Sequence, residues 1–188
     1  MDQNNPNNQQ NQVVIRFMAG VNDQTVNLLI TNIENKIREG KNNFLLLISS
    51  PGGFVAPGIA VFNYLKSLPI NIETHNFGNV DSIASMLYCC GSKRTCSENA
   101  SFLIHSVAWN GNGGFEEKRL KEFVKGLQVD RKNISEIIAK SCNKNQKQIQ
   151  KIMFIGSHLD AEKAKKLGLV HEIKEPKINS GSEIISII

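Results

Sequence analysis

Aromatic residues are scarce in this sequence: one tryptophan, two tyrosines and nine phenylalanines amount to 6% of it. They do not interleave with the basic residues, and the formal charge of +5 is spread along the chain. That pattern reads as a solvated surface, not as a nucleic-acid footprint. Cysteine is also sparse. Cys89, Cys90, Cys96 and Cys142 form no C-x-x-C pair, which argues against a zinc site and against a disulfide-held miniprotein. No stretch reaches the roughly 18 apolar residues of a membrane span, so no membrane partner is expected. The opening MDQNNPNNQQNQ has neither a basic n-region nor an apolar h-region, so it does not read as a secretory signal. What remains is 40% hydrophobic and 21% charged over 188 residues, the balance of one globular domain. A cytoplasmic protein with reduced thiols is the expectation.

Residues 1–12 are an Asn/Gln tract that can bury almost nothing, and are expected to be a disordered tail. Residues 13–188 are expected to form a single domain. VVIRF (13–17) reads as a strand. Asn22 and Asp23 offer an N-cap for a helix with Val26, Leu29, Ile30, Ile33 and Ile37 on one face, ended by Gly40. NFLLLIS (43–49) is an apolar run of strand length, expected to be buried on both faces. A helix from Gly58 to Leu68 and a strand over 70–77 follow. Residues 82–90 read as a buried helix, and 92–97 and 101–105 as strands. NGNGG (110–114) is a glycine-rich loop, and a long amphipathic helix runs from 115 to 141 through Leu120, Phe123, Val124, Leu127, Ile134, Ile137 and Ile138. Helices over 146–154 and from Ala161, the latter capped by Asp160, precede a last strand at 169–173. The alternation of strands and helices predicts an α/β protein. The apolar IISII (184–188) is expected to dock somewhere on it.

Three pieces carry chemistry: Ser-Pro-Gly-Gly at 50–53 after a buried strand, Gly-x-x-x-Ser at 78–82 opening a buried helix, and Ile-His at 104–105 ending a strand. A serine at a helix start sits at the positive end of the dipole, beside free backbone N–H groups. A glycine pair lets backbone approach a substrate carbonyl, and histidine is the usual base for a serine nucleophile. Each piece alone is ordinary. G-x-S-x-G is absent, so an α/β-hydrolase elbow is not supported. His75 and His171 lie in strands without ligand partners at metal spacing and read as structural; His158 reads as an exposed loop residue. Lys93-Arg94 reads as a solvated turn.

Together the pieces resemble the proteolytic subunit of the Clp protease, ClpP, from about Ala19 to Glu175. ISSPGG stands at 48–53, GNVDS at 78–82, LIH at 103–105 and EKAKKLGLVHEI at 162–173, with Gly53 to Ser82 and Ser82 to His105 separated by 29 and 23 residues. The resemblance implies a ClpP/crotonase-like spiral of repeated ββα units with a protruding handle helix at 115–141. It implies a serine peptidase that cleaves peptides or unfolded protein through an acyl-enzyme, needs no metal or cofactor, and assembles into a homo-oligomeric ring. It carries the nucleophile onto Ser82, the base onto His105 and the oxyanion N–H groups onto Gly53 and Ile83.

The chain departs from the family pattern in two places. The position matching the triad aspartate is Gly156. Asp160 is the low-ranked candidate for a displaced third member, but it stands where the family has a helix cap; Asp81, Glu116 and Glu117 are further carboxylates near the motifs. The polar tract also runs almost directly into the first strand. It leaves no room for the family's first helix, so a response to a Clp-type ATPase through that surface is not expected. The alternative is a weak or inactive ClpP-like paralogue with an assembly role. A crotonase-type acyl-CoA enzyme shares the superfold, but no phosphate- or adenine-binding motif is visible.

Overall fold

The computed structural model describes residues 12–109, 111, 113–178 and 180–188. The expected disordered tail lies outside the described residues except for Gln12, as do two residues of the glycine-rich loop. The first strand, β1 (Gln12–Phe17), pairs in parallel with β2 (Asn43–Ser50), Val13 opposite Phe44 and Phe17 opposite Ile48. Phe44 to Ile48 are all buried, as their continuous apolar run requires of a strand covered on both faces. Parallel neighbours need crossovers. Helix α1 (Asp23–Arg38) supplies the first, with Val26, Leu29 and Ile33 buried. Asn22 and Thr25 form a reciprocal capping box at its start.

Helix α2 (Val55–Ser67) leads from β2 to β3 (Asn71–Asp81). It starts three residues before the expected Gly58, because Pro57 is tolerated in a first turn where its missing N–H has no partner to lose. Strand β3 serves two neighbours on one side. Its residues 73–76 pair with β4 (Lys93–Cys96) and 79–81 with β5 (Ser101–Ile104), all parallel. Helix α3 (Ala84–Cys89) fills the β3–β4 crossover and is buried throughout. Helix α4 (Glu117–Cys142) follows β5. Its apolar stripe is divided: Ile134, Ile138, Ala139 and Cys142 are buried, whereas Leu120 and Val124 are 47% and 51% exposed.

Helix α5 (Gln146–Ile155) leads into β6 (Ser157–Asp160), which pairs antiparallel with β5. The sequence reading makes this stretch a loop. Leu159 is its one apolar residue, so no alternation marks it; its pairing with β5 does. Helix α6 (Ala161–Leu167) is followed by β7, reduced to Glu172–Ile173, while Leu169 and Val170 are buried as core residues. The C-terminal β8 (Ile184–Ile187) docks parallel to β1, so the sheet runs β6-β5-β3-β2-β1-β8. This mixed α/β architecture agrees with the fold that the motifs imply.

Arg94 corrects the sequence reading. It lies on β4, 6% exposed, and its guanidinium is held by main-chain carbonyls. Nε donates to Leu169 O (2.8 Å), Nη1 to Gly91 O (3.3 Å), and Nη2 to Ser141 O (2.6 Å) and Gly168 O (3.3 Å). These acceptors sit at the C-terminal ends of α3, α4 and α6, where unpaired carbonyls and the helix dipoles attract a cation. Arg94→Met should strand buried acceptors and cost at least about 3 kcal/mol, read as a lowered urea midpoint at unchanged slope. An unmoved midpoint would show the guanidinium to be dispensable.

Candidate active site

Between β3 and α3 the chain turns through Ser82, a non-glycine residue with φ 56°. Such a conformation costs of order 1–3 kcal/mol and persists only where its surroundings impose it. Here β5 does so: Ser82 N–H donates to Leu103 O at 2.7 Å, and Ser85 Oγ donates to Ser82 O at 2.7 Å. The other wall is the Pro-Gly-Gly turn. A Cβ on Gly52 would fall 2.7 Å from Asp81 O and 2.8 Å from Ser82 Cβ, and one on Gly53 would fall 2.2 Å from Val21 O. Val21 N–H donates to Gly52 O and Phe54 N–H to Val21 O, both at 2.8 Å. The N–H groups of Gly53 and Ile83 are left without a backbone acceptor among the described residues.

His105 follows the last residue of β5, two positions beyond the carbonyl that fastens Ser82. Ser82, Ile83, Gly53 and His105 line one cavity of about 190 Å³, whose apolar side is built by Val55 and by Ile134 and Ile138 of α4. No hydrogen bond joins Ser82 to the His105 ring, and the ring makes none with any described residue. Free sites often stay open in this way until substrate draws the groups together. The walls from α4 are absent from the sequence-derived candidates. Their only sequence signal is the helical stripe, which cannot say what the helix packs against.

The remaining candidates lie elsewhere. Asp160 caps α6: its Oδ1 accepts from Lys163 N–H at 2.8 Å and its Oδ2 pairs with Lys163 Nζ at 2.9 Å. These bonds, the backbone one foremost, hold its carboxyl below the usual range. It pairs with Ser101 at the far end of the β5–β6 ladder from Ile104, about 10 Å along the strand. Asp81 accepts from Asn79 Nδ2 at 2.7 Å. Glu117 is paired with Lys121, and Glu116 is exposed at the N-cap of α4. Exposed His158 is on β6, not on a loop, opposite Leu103. Gly156 is the residue beside His105: a Cβ there would lie 4.0 Å from His105 Cβ with nothing nearer.

The other reactive side chains are quiet. Burial pushes the Cys142 thiol up to about 12 and raises those of Cys89 and Cys90. Burial lowers His75 to about 4, and Thr95 Oγ1 and Ser97 Oγ occupy its two ring nitrogens. His171 Nδ1 accepts from the Arg94 N–H. A second groove of about 760 Å³ between α2, α3 and α4 shares no wall residue with the first. No cluster of metal-ligating side chains occurs among the described residues, and none of their helices is long and apolar enough to cross a membrane.

A profile of the family described as Clp protease matches residues 5–177. The chain belongs to the Clp protease family. A relative from Streptococcus mutans serotype c, an ATP-dependent Clp protease proteolytic subunit, is 26% identical over 165 residues, spanning 86% of this chain and 84% of the relative. Family membership supports peptide hydrolysis as the chemistry. Replacing the cap tests whether Asp160 takes part: Asp160→Ala should lower the melting temperature by a few degrees and leave kcat for peptides as it was. A folded Asp160→Ala protein without activity would make Asp160 a displaced catalytic acid.

Proposed function

We propose that this chain is a serine peptidase acting on peptides or unfolded polypeptide, with Ser82 and His105 as a dyad. The observation that carries this reading is the shared cavity, which joins a strained serine, a histidine and two unengaged N–H groups. Ser82 Oγ attacks the scissile carbonyl while His105 takes its proton. The N–H groups of Gly53 and Ile83 receive the developing oxyanion. His105 then protonates the leaving amine, and water, activated by the same ring, releases the acyl group. The apolar wall gives the substrate side chain before the cleaved bond a place to bury.

A carboxylate beside the histidine normally fixes its tautomer and stabilises the imidazolium; its loss costs on the order of 10⁴ in kcat. Gly156 supplies none, so the proposed turnover is slow. The same residue favours a second reading, an assembly paralogue with little chemistry. The strained turn at Ser82 opposes it, because backbone strain of this kind clusters at active sites. Exposed Leu120 and Val124 on α4, and Phe154 and Ile155 at the end of α5, suit a homo-oligomeric ring.

A fluorophosphonate probe should label wild-type protein and not Ser82→Ala. Peptide hydrolysis should vanish in Ser82→Ala and in His105→Ala, with the double variant no worse than either. Full activity in either single variant, or additive losses, sinks the dyad. Gly156→Asp should raise kcat by one to a few orders of magnitude, roughly. Position 156 has φ 73°, which aspartate and asparagine tolerate better than other side chains. A folded Gly156→Asp protein with unchanged kcat would mean that the acid's absence does not limit the rate.

A further inference from the structure

On the turn of α4 that precedes the cavity, residues 128, 129, 131, 132 and 133 are exposed, and only Leu127 and Asp130 are half-buried. Four-residue spacing sets Asp130, Ile134 and Ile138 on one face of the helix. Ile134 and Ile138 are walls of the Ser82 cavity, and Asp130, not itself one of its walls, follows on the same face of the helix one turn, about 5.4 Å, further along. The glutamates along α4 each have a cation close by: Glu117 with Lys121, Glu122 with Arg119 and Glu136 with Lys140. Asp130 makes no hydrogen bond or ion pair among the described residues. Its neighbours at three and four positions are Gly126, Leu127, Asn133 and Ile134, none of them a cation. Burial without a counter-charge raises its carboxyl above the usual range. Space beside it is open, since a Cβ on Gly126 would meet nothing within 4 Å.

We propose that Asp130 is a specificity residue that binds the cationic end of a lysine or arginine side chain on the acyl side of the bond Ser82 attacks. The inference rests on the peptidase reading and names its substrate class. A lysine side chain matches the wall in both its parts. Its methylene stem covers Val55, Ile134 and Ile138, and its ammonium emerges where the unpaired carboxylate stands. The partly desolvated setting strengthens that pairing over one at a fully exposed site.

The test uses fluorogenic tripeptide amides that differ only in the residue before the cleaved bond: Lys, Arg, Leu or Glu. Wild-type protein should favour Lys over Leu in kcat/KM by about tenfold. Asp130→Asn should erase that ratio, Asp130→Glu should keep most of it, and Asp130→Lys should turn the preference toward Glu. Calorimetric binding of the same peptides to Ser82→Ala gives a readout independent of turnover, and the Lys preference should again disappear when Asp130→Asn is added. Turnover with a Lys-to-Leu ratio that Asp130→Asn does not move overturns the inference and leaves the peptidase standing. A Lys preference in binding, with no turnover of any peptide, supports the cation site and sinks the peptidase reading instead.

Discussion

At positions 52 and 53 the backbone of one strand-to-helix turn lies so close to its neighbours that no side chain fits between them. Gly52 abuts the carbonyl of Asp81 and the Cβ of Ser82, and Gly53 abuts Val21. Both residues have positive φ. This contact aligns the turn after β1, the turn after β2 and the turn after β3 in one row. Because Val21 engages Gly52 O and the Phe54 N–H, the Gly53 N–H is left over, and it lies on the side of Ser82. The site is therefore a by-product of packing three crossover turns against one another. A methyl group at either glycine would push them apart.

The second anchor lies at the opposite end of α3. Arg94 gathers the carbonyls at the ends of α3, α4 and α6, and its backbone is bonded to His171. Helix α3 is six residues long and leaves Ser82 at its start, so fixing its end helps fix its beginning. Helix α4 is fixed at its end by the same guanidinium, which sets Ile134 and Ile138 against the cavity. A buried guanidinium among carbonyls is costly to desolvate and costly to break. It is a device for position more than for net stability.

The chemistry that follows is uneven. The proposed nucleophile is strained and anchored, and the two free N–H groups are the proposed oxyanion donors, but no carboxylate among the described residues bonds to the histidine. The vacancy beside His105 has a plain cause: Gly156 ends α5 in the left-handed conformation, where glycine is the easiest residue to place. A glycine that solves the helix ending leaves no side chain there for the proposed base to use. The acid that is free, Asp130, stands one helical turn beyond the α4 wall of the cavity, where the proposal gives it the substrate side chain and not the base.

Sequence alone determined the strand–helix alternation, the Asn22 cap, the buried β2 and the three motifs that converge on the cavity, because periodicity, capping and glycine spacing are local properties. Register against the family pattern also singled out Gly156, which the structure sets beside His105. It misread what depends on partners. Strand β6 carries one apolar residue and exists because β5 offers an edge. Arg94 reads as a surface residue until three helix ends are brought around it. The division of α4 into a buried and an exposed half, and with it the setting of Asp130 beside Ile134, follows from where the helix leaves the body of the protein. An apolar stripe states only that a face wants cover; the tertiary structure decided which half receives it.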